Sequence, residues 1–249
     1  MAVQVTVDEG VMTLTLDRAG QLNAFNRELQ RDFAAALRSA ARDSDVRALV
    51  LTGAGRGFCV GQDLEESIAD RDAYDRLGNH YIPNILALRT LEKPVIGAVN
   101  GAAAGAGLAL AVACDIRIAS SKAKFVPAWI NIGLVPDSGG SYFVPRLIGY
   151  ARALEWFASG RHMAADEALA LGLVSEVVAP DALLARATEL AQAFAAMPPC
   201  AVAMTKRVLQ ASERATLPEQ LQRERELQAV AIASQEYGDA VGAFLARSG

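Results

Sequence analysis

Cysteine and histidine are scarce in this sequence, with three of the first (Cys59, Cys114, Cys200) and two of the second (His80, His162) in 249 residues. The cysteines are far apart, odd in number and form no CxxC pair, which argues against a disulfide framework or a zinc site. A basic excess is also missing. The 24 Lys and Arg are scattered among 28 Asp and Glu for a net charge of -4, so no electrostatic footprint for nucleic acid is visible. There is no long hydrophobic run either: the longest small-apolar stretch, Gly101 to Cys114, is mostly Ala and Gly and is too short to span a bilayer. Met1 to Val7 alternates apolar and polar residues and does not read as a signal peptide. No G-x-S-x-G elbow occurs, which disfavours a Ser-His-Asp hydrolase. Together these absences predict a cytoplasmic protein with neither a membrane nor a nucleic-acid partner, in which anionic ligands are met by local groups.

What the chain does have is 52% hydrophobic content, enough to bury a substantial core, and its length fits one globular unit with or without a small appendage. Val3 to Val7 and Val11 to Leu16 alternate around Asp8-Glu9-Gly10, the pattern of a hairpin with one buried face. Asn26 can cap a helix to about Ala41 with Leu29, Phe33, Ala36 and Leu37 on one stripe, and Val46 to Thr52 then reads as a buried strand. A second unit comes next: a helix from roughly Tyr74 to Leu91, a stop at Lys93-Pro94, a strand Val95 to Val99, a glycine-rich turn and an Ala-rich helix. Two such units favour an α/β core. After Gly149 the pattern is mainly helical, with a short strand near Leu173 to Val178 and a break at Pro198-Pro199.

Two glycine-rich loops stand at equivalent places, each just after a buried strand: Gly53 to Leu64, and Asn100 to Gly107. One reading makes them turns required for tight strand-to-helix packing. The other makes them paired donors, because a helix N-terminus carries unpaired N–H groups and small residues let a ligand oxygen approach. A dinucleotide fingerprint does not fit, since Gly105-Ala106-Gly107 is followed by Leu110 where that motif needs Gly or Ala.

The segments Gly10 to Leu16, Leu22-Asn23-Ala24-Phe25-Asn26, Gly55 to Leu64, Lys93-Pro94-Val95-Ile96 through Gly107, and Gly133-Leu134-Val135-Pro136-Asp137-Ser138-Gly139-Gly140 occur in the order of the crotonase (enoyl-CoA hydratase/isomerase) superfamily, which the chain resembles through nearly its whole length. Within that superfamily it looks closest to the isomerases of phenylacetate degradation, which convert a ring-epoxide acyl-CoA to its oxepin form and shift double bonds. The resemblance implies an α/β fold, a crotonase-like spiral of repeated ββα units over residues 1–195, with a helical trimerisation region over 196–249. It places the two oxyanion N–H donors on Gln62, after Gly61, and on Ala106, between Gly105 and Gly107.

Hydratases of the superfamily hold two glutamates over the substrate double bond, and here those positions are Ala109 and Trp129. Adding water normally takes two placed acid/base groups, so hydration is disfavoured. Asp137 falls where the related epoxide isomerases and chlorobenzoyl-CoA dehalogenases hold a functional aspartate, which makes it the candidate base; an N-cap aspartate before a helix at Ser138 is the plainer reading. An apolar pocket beside Trp129 would raise its proton affinity and suit a 1,3-proton shift. Asp63 with Glu66 matches a helix cap, and Glu65 and Glu66 read as solvated. Trp129 is either a core aromatic or a wall for a ring-shaped acyl chain. The dehalogenase branch's histidine falls on Ile82, with His80 on a different helix face, and His162 reads as a surface residue.

Substrate and CoA contacts implied by the resemblance are Ala24, Phe25, Cys59, Gly61, Asp63, Leu64, Gly105 and Trp129, with Phe244 of the C-terminal helix capping a neighbour's site in a homotrimer or homohexamer. No metal or redox cofactor is expected, coenzyme A being part of the substrate. Some relatives of this kind bind RNA or serve structural roles, and the acidic balance disfavours RNA here. A hydratase-like enzyme and a thioester hydrolase are the other enzymatic readings.

Overall fold

In the computed structural model, which describes residues 1–69, 75 and 77–248, the alternating N-terminal segments pair as an antiparallel hairpin, β1 (Val3–Asp8) and β2 (Val11–Leu16). Glu9 (φ 45°) and Gly10 (φ 78°) close it, both left-handed as a two-residue hairpin loop requires. A buried face is expected of both strands, and only β2 has one. β1 is the outer edge of its sheet, so Val5 and Val7 stand exposed. Asn26 caps α1 (Arg27–Arg42) as expected, its Oδ1 accepting from the Leu29 N–H at 2.8 Å, and the stripe Leu29, Phe33, Ala36 and Leu37 is buried.

Three pairs of strands come next, and each pair gives its first strand to one sheet and its second to another: β3 (Ala48–Gly53) with β4 (Gly57–Cys59), β5 (Val95–Val99) with β6 (Ala102–Ala104), and β7 (Ile116–Ser120) with β8 (Lys124–Val126). Helix α2 (Leu64–Ala69) follows β4. A π-helical turn at Leu77–Tyr81 leads into α3 (Ile82–Thr90), and α4 (Ala106–Ala113) follows β6. The helix expected from Tyr74 has its first residue outside the described ones. This is the expected spiral of ββα units. The chain continues through α5 (Gly140–Ile148), α6 (Tyr150–Ser159), β9 (Met163–Ala164), α7 (Ala165–Ala170), β10 (Glu176–Val178) and α8 (Leu183–Ala195). It ends in α9 (Pro199–Ser212), α10 (Leu217–Ile232) and α11 (Gln235–Ser248). The large sheet runs β1-β2-β3-β5-β7-β10 and the small one β4-β6-β8-β9. Beyond the hairpin and the β8–β9 pair, the ladders are parallel.

The central strands are buried on both faces, which is why they read as continuous apolar runs. Leu49 and Leu51 of β3 enter the main core with Phe33 and Leu37, while Ala48 and Val50 meet Leu183, Ala187 and Ala191 of α8 behind the sheet. The strand expected from Leu173 begins only at Glu176; Leu173 and Val174 are buried before it. Helices α9 and α10 share a small cluster of Ala203, Met204 and Leu227. Lys206 ties them to the core, its Nζ donating to Asp115 Oδ2 at 2.7 Å and to the Lys93 carbonyl at 3.0 Å. Among the described residues no helix is long and apolar enough to cross a membrane.

Candidate active site

The parallel sheet brings the C-terminal ends of β3 and β5 side by side, and two asparagines fix the loops that leave them. The Asn100 Oδ1 accepts from the Gly53 N–H at 3.1 Å, and its Nδ2 donates to the carbonyls of Gly55 (3.0 Å) and Gly57 (3.1 Å). Asn23, fully buried with φ 60°, donates from Nδ2 to Ala54 O (3.0 Å) and Gly57 O (2.8 Å) and accepts from the Arg18 N–H at 2.9 Å. The segment around Ala24 is thereby bound to the first glycine loop.

A single β-bridge then aims Gln62. The Phe25 N–H donates to Gly61 O at 2.7 Å and the Asp63 N–H to Phe25 O at 2.9 Å. In a parallel bridge the residue between the two bonded ones turns its own N–H the other way. The second donor is Ala106, at the first position of the fully buried α4, where the helix dipole is positive. Neither the Gln62 nor the Ala106 N–H makes a hydrogen bond among the described residues. The glycines let the two loops pack closely. A Cβ on Gly107 would lie 2.0 Å from the Cys59 carbonyl oxygen, so its absence lets the loops touch. Gly61 has φ 89°, and a Cβ there would lie 2.8 Å from Ala104 O and 3.2 Å from Ala106 N, over the donor itself.

Asp137 lines the same cleft as Gln62 and Ala106. The helix expected at Ser138 begins instead at Gly140, capped by Gly139 without a side-chain hydrogen bond, so the Asp137 carboxylate is not a cap. Its Oδ1 accepts from the Trp129 indole Nε1 at 3.0 Å. Burial raises this carboxyl above the ordinary carboxylate range; the Trp129 indole, then the Ser138 hydroxyl, work against that rise. The glycine pair after Ser138 has steric reasons: Gly139 has φ 90°, and a Cβ on Gly140 would lie 2.7 Å from the Trp129 ring. Trp129 is buried, edge-on to Phe157 at 5.8 Å.

A cleft of about 600 Å³ collects Ala24, Gly61, Gln62, Asp63, Leu64, Gly105, Ala106, Trp129 and Asp137. Three of the residues named from the sequence lie elsewhere. Phe25 is buried edge-on against Tyr81 (5.5 Å), Cys59 is buried in the core with its thiol pushed up to about 12 by loss of solvent, and Phe244 is exposed on α11. Asp63 behaves as a cap and an ion-pair partner: its Oδ1 accepts from the Glu65 N–H at 3.2 Å and its Oδ2 from both terminal nitrogens of Arg18 at 3.0 Å. Glu66 turns away to the Arg27 N–H (3.1 Å). Ala109 is buried inside α4. His80 faces a separate groove beside Arg27 and Asn84, and His162 is exposed.

Sequence reasoning does not single out Arg18 or Tyr81, which also line the cleft. The Tyr81 hydroxyl donates to Gln62 Oε1. Tyr81 adjoins the weighed position Ile82, but Arg18 carries no local pattern; only the fold brings it to Asp63, 45 residues on. A second cavity, of about 1000 Å³, shares Asp137 and Leu77 with the cleft and continues past Ile82, Ile85, Leu86 and Phe143.

Residues 6–248 match the model of the enoyl-CoA hydratase/isomerase family. The chain is similar to the 1,2-epoxyphenylacetyl-CoA isomerase of Escherichia coli (strain K12), at 42% identity over 97% of this chain and 94% of that one. It is similar also to the 4-chlorobenzoyl coenzyme A dehalogenase-2 of Arthrobacter sp, at 34% identity over 86% and 80% of the two chains. Among solved structures, the enoyl-CoA hydratase from Bacillus anthracis superposes with a TM-score of 0.95 at 30% identity, covering 99% of this chain and 97% of that one.

Proposed function

Because this chain belongs to the enoyl-CoA hydratase/isomerase family, we propose that it isomerises an acyl-CoA, holding the thioester carbonyl oxygen between the N–H groups of Gln62 and Ala106 while Asp137 carries a proton between carbons of the acyl group. The observation that supports this reading is the state of the carboxylates lining the cleft. Asp63 is committed to Arg18, Glu65 is exposed, and Asp137 is half-buried beside Trp129 with a raised proton affinity. A raised carboxyl takes a proton from carbon and returns it more readily than an ordinary one.

For a 3-enoyl thioester, Asp137 removes a proton from the carbon next to the carbonyl, and the electron pair of that C–H bond moves onto the thioester oxygen. The two N–H donors stabilise that dienolate, and losing one such donor costs about 10²–10³ in rate. The electron pair then returns, and the protonated Asp137 delivers its proton two carbons further along. Atoms and charge balance, and the chemistry asks for no metal or redox cofactor.

The finer reading is a ring-epoxide acyl group expanded to its oxepin, with the 3-enoyl to 2-enoyl shift as the simpler activity of the same site. The 42% identical isomerase supports it, as does the second cavity, which shares Asp137 with the cleft and has Leu77, Ile85 and Phe143 in its lining. The Leu22 to Phe25 and Phe58 to Leu64 segments would meet CoA, and Phe244 a neighbour's site in a cytoplasmic trimer or hexamer. Hydration is disfavoured because Ala109 and Trp129 stand where the two glutamates would act. Dehalogenation is disfavoured because His80 is not among the residues that line the cleft with Trp129 and Asp137.

Purified protein mixed with a 3-enoyl-CoA should produce the conjugated 2-enoyl thioester, followed by absorbance, with no mass gain and with loss of the signal in Asp137→Asn. Water addition, release of free CoA or full activity in the variant would sink the reading. The ring-epoxide thioester of phenylacetate, run beside it, decides the acyl group.

A further inference from the structure

We propose that Arg18 is a positioning residue for the oxyanion donor on Gln62, an inference that rests on the oxyanion reading above. The direction of the Gln62 N–H is set by the bridge in which Phe25 bonds to Gly61 and Asp63 on either side of it. That bridge is a single pair, two hydrogen bonds outside any ladder, so it has no neighbouring strand residues to stiffen it. Arg18 clamps both of its sides. One terminal nitrogen donates to the Ala24 carbonyl, just before Phe25, at 2.6 Å, and both terminal nitrogens donate to Asp63 Oδ2, just after Gln62, at 3.0 Å. The pair is well sheltered, with 17% of each side chain exposed.

The base of the clamp is equally fixed. The Arg18 N–H donates to Asn23 Oδ1 at 2.9 Å and the Asn23 N–H donates to Arg18 O at 3.0 Å, while Asn23 is fastened to the first glycine loop through Ala54 and Gly57. A planar guanidinium can reach the carbonyl and the carboxylate at once; an ammonium has no such fork. Arg18 therefore acts through Gln62. A donor misplaced by a fraction of an ångström weakens the transition state more than the bound ground state, because the developing oxyanion needs it most.

The test compares the wild type with Arg18→Gln, Arg18→Lys and Asp63→Asn, each first checked for an unchanged circular dichroism spectrum. Two readouts are taken: steady-state kinetics on a 3-enoyl-CoA, and the infrared carbonyl stretch of bound, unreactive butyryl-CoA labelled with ¹³C at the thioester carbon. The wild type should shift the stretch to lower frequency. Arg18→Gln and Asp63→Asn should lose part of that shift and roughly 10–100-fold in kcat, with KM within about threefold of wild type if the loss lies in the transition state, and Arg18→Lys should fall between. If Arg18→Gln does not fold, Arg18→Lys and Asp63→Asn carry the same comparison. A raised KM with kcat and stretch unchanged overturns the proposal, since Arg18 would then bind substrate directly. No shift in the wild type overturns the oxyanion reading itself, and the proposal with it. An intact wild-type shift that the variants retain overturns the Arg18 assignment alone.

Discussion

The proposed base Asp137 carries a stability cost, and the sign of that cost is set by loss of solvent. Its carboxyl is raised in the folded protein by loss of solvent, so below the unfolded aspartate pKa of about 3.9 both states are protonated and nothing is lost. As pH climbs through the raised value the folded state must hold a desolvated charge, and the cost is fully present above that value. Asp137→Asn should therefore lose at least about 10²-fold in kcat while melting roughly 2 °C higher at pH 7, an increment that vanishes below about pH 4. Activity in the wild type should fall as pH drops, with its midpoint above the ordinary carboxylate range; an inflection within that range, or a variant that melts lower at pH 7, removes burial as the cause. Gly61 makes the companion case on the backbone. A methyl there meets Ala104 O at 2.8 Å and covers the Ala106 N–H at 3.2 Å, at a φ of 89° that L residues rarely adopt. Gly61→Ala should cost about 10²-fold or more in kcat, read by the same conjugation assay, and a variant with wild-type turnover would show that the Ala106 N–H is not used.

At the level of elements, the site is a consequence of strands ending together and loops touching. Helix α4 can lie against β4 only because Gly107 has no side chain; a Cβ there would overlap a backbone oxygen that has no rotamer to escape into. Gly107→Ala should lower unfolding free energy by about 3 kcal/mol, measured by urea denaturation, and a loss below about 1 kcal/mol would mean that the helix shifts at little cost. Long elements were legible in the sequence for a physical reason: Asn26 and the stripe of α1, the Pro94 stop and the runs of β3 and β5 each repeat a signal over several residues. The strands β4, β6 and β8 are three residues each, too short to show a period, and the second sheet therefore could not be read. β7 hides because it opens with a charge pattern, Arg117 pointing its guanidinium to the carbonyls of Leu173 and Cys114. The site divides the same way. Backbone donors after glycines leave a sequence trace at Gly61 and Gly105, and Asp137 leaves one through the glycines beside it. Arg18 and Tyr81 leave none, because their partners lie 45 and 19 residues away.

The whole molecule poses the remaining question at its C-terminus. The core closes on α8, and the three helices after it are held to that core by a few polar anchors: Lys206 on Asp115, Arg89 between Asp115 and Glu213, and the Tyr142 hydroxyl on Glu213 at 2.6 Å. Beyond α9 the apolar side chains face outward, Leu217 (72% exposed), Leu221, Ile232, Tyr237, Phe244 (69%) and Leu245 among them, and of α10 only Leu227 is buried. Helices that bury so little of their apolar surface gain little from the fold of one chain. Covering that surface with further copies would supply the missing burial, and a closed ring would leave none of it open. The protein should therefore sediment above the mass of one chain at micromolar concentration, and its melting temperature should fall on dilution, as mass action requires of a fold completed by its neighbours. Leu217→Glu with Leu221→Glu should shift the species toward one chain and lower the melting temperature by several degrees. A wild type that sediments as a single chain, with a melting temperature independent of concentration, would mean that these helices need no neighbour and that Phe244 caps no other copy's cleft.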